Sequence, residues 1–138
     1  MLFFIPSRRT VLPCWAVIGP GVYRVRPVNQ DRLAYIGQTG VSVRQRLGML
    51  CRNTLVPEMP WNDPHTAAPS LWALRDAEAM DFECSGAATD LSQHEREAFE
   101  CYLLWQYRLE QGTSTLCNHG RFHPRSAAYL RHVGPGCW

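Results

Sequence analysis

The sequence has 138 residues, 46% hydrophobic and 19% charged, with a formal net charge of +2. That length suits one compact domain, and the apolar content is too high for a mostly disordered chain. No apolar run approaches the roughly 20 residues that cross a bilayer, so no membrane association is expected. All 14 basic residues are Arg. The guanidinium fork matches phosphate bidentately, although a coding bias is the plainer explanation for the absence of Lys as a whole.

Residues 1–19 read as an irregular N-terminal extension punctuated by Pro6 and Pro13. Its opening Met1-Leu2-Phe3-Phe4-Ile5 is followed by Arg8-Arg9, the reverse of the order in a secretory signal. The expectation is a soluble, cytoplasmic protein. Val22–Arg26 alternates as a strand, the turn residues of 27–31 follow, and Arg32–Gly37 reads as a second strand, so a β-hairpin is predicted. Ser42 with Gln45 forms a capping box that opens a helix from Val43 to about Cys51. Four prolines make 53–69 a long loop. Ser70 then caps a helix over Leu71–Ala79, Asp81–Ser85 alternates as a third strand, and a long helix runs from Gln93 to Gln111 before Gly112. The fold class is α/β: a small, mainly antiparallel three-stranded sheet flanked by helices. The domain spans 20–120, and 121–138 forms a C-terminal tail packing on it.

A hairpin symmetric about Asn29 places Tyr23 directly opposite Tyr35, so two phenols share one face. Ordinary aromatic strand residues would look the same. Gly37 ends the second strand and leaves backbone open to an approaching ligand. On the first helix Val43, Leu47 and Leu50 form the apolar stripe. Arg46 borders that stripe, whereas Arg44 lies about 200° round the helix and points largely to solvent. On the long helix Glu95, Glu97 and Glu100 compete for an inward position. Glu100 shares a side with Leu103, Leu104 and Tyr107, and a carboxylate there needs a cation or a metal. Arg96, four residues earlier, could supply an ordinary ion pair.

Gly21-Val22-Tyr23, an 11-residue spacer and Tyr35-Ile36-Gly37 resemble the paired signature of the GIY-YIG nuclease superfamily. Further features follow in that family's order: Val43-Arg44-Gln45-Arg46-Leu47 after one extra loop residue, Glu100-Cys101-Tyr102-Leu103-Leu104, and then Asn118. The resemblance covers roughly residues 20–120. It implies a GIY-YIG-like fold and metal-dependent hydrolysis of DNA phosphodiester bonds. The implied catalytic set is Tyr23 as general base, Tyr35 positioning the water and the phosphate, Arg46 neutralising phosphate charge, Glu100 as sole protein ligand of Mg²⁺ (or Mn²⁺), and Asn118 holding the site or contacting substrate. One carboxylate suits a single hard cation that keeps most of its waters.

Gly37, Arg44, His65 and His119 are expected to bind substrate. His65 lies in the Pro-rich loop within Met59-Pro60-Trp61-Asn62-Asp63-Pro64-His65-Thr66, where function often sits. His119 and His123 follow Asn118 closely. Six cysteines spaced 16 to 37 residues apart lack any Cys-x-x-Cys pair, which argues against a disulfide framework. Cys117, His119 and His123 form an incomplete zinc-like grouping. The alternative function is a catalytically silent nucleic-acid-binding or interaction module on the same scaffold. DNA selection by so small a domain points to loops, a homodimer or a specificity partner. Restriction, repair, mobile-element and phage-defence roles are all compatible.

Overall fold

The computed structural model describes residues 12–13, 16–62 and 67–118. Its elements in chain order are β1 (Leu12–Pro13), β2 (Gly21–Pro27), β3 (Tyr35–Thr39), α1 (Val43–Thr54), α2 (Ala67–Glu78), β4 (Phe82–Ala88) and α3 (Gln93–Gln111). The strands form one sheet in the order β1-β4-β2-β3, with every neighbouring pair antiparallel. Three strands make the sheet as expected, and two-residue β1 adds a short fourth at the edge of β4. Among the described residues no helix is long and apolar enough to cross a membrane.

β2 is central, and its alternation decides the two layers. Tyr23 and Val25 turn to one face, where Val43, Leu47 and Leu50 of α1 and Ala67, Ala68 and Leu71 of α2 cover them. Val22 turns to the other, where Ile36 and Ala87 meet Leu103, Leu104 and Tyr107 of α3. Tyr107 is fully buried, and its hydroxyl accepts from the Leu33 amide at 3.0 Å.

The hairpin register differs from the symmetric expectation. Tyr23 pairs with Gly37, and Tyr35 pairs with Val25. The turn is lopsided: the Gln30 amide donates to the Pro27 carbonyl at 3.3 Å, with Asn29 left-handed at φ 63°, a conformation asparagine tolerates. Residues 31–34 then lie outside the ladder, and β3 occupies Tyr35–Thr39 instead of Arg32–Gly37. A shift of two residues keeps both tyrosines on the same face. β4 runs three residues past Ser85, because Gly86, Ala87 and Ala88 pair with Tyr23, Val22 and Gly21.

α3 has the expected bounds, closed by a reciprocal Ser92–Glu95 capping box and by Gly112 at φ 70°. α2 begins at Ala67, ahead of the expected Ser70 cap. Pro69 falls in its first turn, where a missing amide costs no helical bond. α1 extends to Thr54, whose hydroxyl donates to the Leu50 carbonyl at 2.6 Å. Its first amides are satisfied from the segment before β2, since Val43 N donates to Gly19 O at 3.1 Å and Arg44 N to Val17 O at 2.8 Å. Part of the 1–19 extension thus closes the start of α1. The tail 121–138 lies outside the described residues.

Candidate active site

Glycines on both sides of Tyr23 shape the site. A Cβ on Gly37 would sit 2.5 Å from Tyr23 Cζ, 2.6 Å from its Oη and 2.7 Å from Tyr35 Cε1. The space above Gly37 is therefore filled by phenols. Gly37, expected to leave backbone open to a ligand, is instead buried and makes room for the tyrosines. The two rings lie 6.1 Å apart between centroids, tilted by 37°. Tyr23 is buried while Tyr35 is half-buried, so the pair has an inner and an outer phenol.

α1 reaches this pair through Val43. A Cβ on Gly86 would meet Val43 Cγ1 at 2.8 Å, and one on Gly21 would meet Val43 Cγ2 at 2.9 Å. Two bare strand positions thus form the seat into which the first residue of α1 drops. Arg46 stands three residues on, half-buried, and its guanidinium is close enough to act on the Tyr23 phenol. Arg44 is exposed, as its place on the helix requires. Glu100 comes from α3, is 7% exposed, and also acts on Tyr23. One phenol therefore feels groups from β3, α1 and α3 together.

Burial pushes the Tyr23 phenol well above its ordinary value. The Tyr35 phenol pushes the same way, Arg46 opposes, and the Glu100 carboxylate adds to the rise, as does a hydrogen bond between the two hydroxyls. The protein's own groups thus keep Tyr23 protonated at neutral pH. One positive charge from Arg46 does not offset the burial.

Asn118 acts on backbone. Its Nδ2 donates to Ile36 O at 2.9 Å, and its Oδ1 accepts from Ile36 N at 2.9 Å and Thr115 Oγ1 at 2.6 Å. The amide imitates a strand partner for the residue between Tyr35 and Gly37. Leu116 N and Cys117 N extend the imitation to Leu33 O and Ala34 O. These bonds tie the Asn118 side chain to β3 between Tyr35 and Gly37.

Arg96 does more than the sequence revealed. It is 8% exposed, and its guanidinium donates to Gln38 Oε1 at 3.1 Å and to Leu91 O at 2.7 Å. A Cβ on Gly40 would meet Arg96 Nη2 at 2.5 Å. Arg96 therefore underlies the loop between β3 and α1. Its bond to Leu91 lies within one turn of the start of α3, but the bond to Gln38 joins α3 to β3 across the sequence, which no local pattern reveals.

Glu100 suits a hard divalent cation: its carboxylate supplies oxygen ligands, and such an ion completes its shell with water. Among the described residues no group of three or more His, Cys, Asp or Glu comes together to hold a metal. Cys117 is buried, and burial pushes its thiol up to about 12, which disfavours the thiolate that zinc needs. His65, His119 and His123 lie outside the described residues. No family model matches the chain, and neither does any curated protein or solved structure.

Proposed function

We propose that the chain is a divalent-metal-dependent endonuclease of the GIY-YIG type that hydrolyses DNA phosphodiester bonds with a single Mg²⁺ or Mn²⁺. The observation that carries this reading is the convergence on one buried phenol, Tyr23, of a second phenol, a guanidinium and a carboxylate from three different elements. Hydrolysis of a phosphodiester needs these functions: a base for water, a cation for the phosphoryl oxygens, and an anchor for a metal.

Glu100 would hold the metal, which supplies positive charge that stabilises the phosphoryl oxygens and favours phenolate beside it. Arg46 neutralises the remaining phosphate charge. Tyr23, as phenolate, takes a proton from the attacking water as the water oxygen bonds to phosphorus. The bond to the leaving oxygen breaks, and that oxygen takes a proton from solvent. Tyr35, the outer phenol, orients water and phosphate. Asn118 acts as a positioning residue by fixing the strand between Tyr35 and Gly37. DNA selection falls to loops, to self-association or to a partner.

The protonated resting state of Tyr23 favours a second reading, a catalytically silent DNA-binding or interaction module. A plasmid-nicking assay with Mg²⁺ and with EDTA, on wild type, Arg46→Ala and Glu100→Ala, separates the two. The endonuclease predicts metal-dependent nicking reduced about 100-fold or more in each variant. Equal nicking by all three removes the site, and DNA binding without cleavage by wild type selects the silent module.

A further inference from the structure

At Arg46, a cleft of about 170 Å³ opens between the β3–α1 loop and the first turns of α1, lined by Thr39, Val41, Ser42, Gln45, Arg46 and Met49. Thr39 lies on the same face of β3 as Tyr35 and Gly37, four and two residues further along. Arg46 lines the cleft and also acts on Tyr23. The cleft is thus the continuation of the candidate site along the sheet.

Its loop is held firmly. Val41 N donates to Thr39 Oγ1 at 3.3 Å, Arg96 supports Gly40 from below, and Ser42 Oγ accepts from Gln45 N at 3.2 Å. Yet Val41 is 72% exposed. A fixed loop presents a bare β-branched hydrophobe at the edge of a charged site, with Met49 lining the same cleft. Two of the hydroxyls are used to build the loop, so the lining offers an apolar wall, the Gln45 amide and one cationic end.

We propose that this cleft seats a single unstacked nucleotide beside the scissile phosphate, with the phosphate at Arg46 and the base against Val41 and Met49. A cleft of about 170 Å³ is small, which suits a single ring, so the preferred substrate is DNA with an unpaired nucleotide next to the cut. Removing a base from the stack costs least where it is already unpaired. The Gln45 amide is placed to meet a base edge. This inference rests on the endonuclease reading.

The test is cleavage of end-labelled oligonucleotide duplexes with Mg²⁺, fully paired or carrying one unpaired nucleotide on either side of the cut. Wild type should cut one of the unpaired substrates about tenfold faster than the paired duplex, given the cost of unstacking. Val41→Ser combined with Met49→Ser, both lining the cleft, should bring that ratio to within about twofold, with the paired and unpaired substrates compared in the same variant at a temperature where it is folded. A wild-type ratio near one, or an unchanged ratio in the double variant, overturns the inference alone. Absence of metal-dependent cleavage on every substrate overturns it together with the endonuclease reading.

Discussion

Tyr23 lies across Gly37, its ring atoms standing where the missing side chain would begin. The relation is cross-strand, since the two residues face each other in the β2–β3 ladder. It ties the identity of one glycine to the placement of both phenols.

Gly37→Ala should therefore act on site and stability together. Its methyl must displace the rings of Tyr23 and Tyr35, and overpacking of this kind costs about 1–3 kcal/mol. Urea denaturation should show that loss, and nicking should fall even at temperatures where the variant is folded. A variant with wild-type stability and activity would mean that the phenols move aside freely.

Asn118→Ala should expose the dependence of β3 on its side-chain partner. The Ile36 amide and carbonyl both lose their bonds, and a buried group left unsatisfied costs about 1–3 kcal/mol. Hydrogen exchange at the Ile36 amide should accelerate more than exchange at the amides of α1. Uniform acceleration would show that Asn118 acts on global stability alone.

Arg96→Met keeps the length of the side chain and removes its donors to Gln38 and Leu91. A loss of about 1.5–3 kcal/mol per buried charged hydrogen bond sets the scale. The β3–α1 loop should then be cut faster by protease near Gly40. With Glu100 intact, DNA affinity should weaken less than turnover.

Stability should decline in alkali. The Cys117 thiol rises from 9.0 to about 12 in the folded chain, so the unfolded chain gives up its proton first. The contribution is complete below pH 9 and is lost as pH rises from 9 towards 12, at up to about 1.4 kcal/mol per pH unit. Tyr23, also raised by burial, adds to the decline above pH 10. Urea midpoints at pH 8, 9 and 10 should fall less steeply for Cys117→Ala than for wild type.

Local signals were legible in the sequence wherever they were complete in themselves. The inward side of Glu100 followed from the spacing of Leu103, Leu104 and Tyr107, and the bounds of α3 from Ser92 and Gly112. The half-buried place of Arg46 and the exposed place of Arg44 followed from the stripe of α1. The hairpin was visible, but its register was not, because Asn29 and Gln30 serve equally well as its centre until the ladder is built. The seat for Val43 depends on Gly21 and Gly86, which are 65 positions apart in the chain. The bonds of Arg96 to Gln38 and of Asn118 to Ile36 also join distant segments, and periodicity carries no record of them.

The outer side of β3 is covered at its start by the turn at 115–118, which answers the carbonyls of Leu33 and Ala34 just before the strand and the polar groups of Ile36 within it. A bare strand margin invites another chain to extend the sheet, with aggregation as the common outcome. Here the invitation is withdrawn by a few residues of the same polypeptide. Crowded copies of this protein should consequently resist fibrillar stacking through that flank, and trimming the turn should restore the hazard.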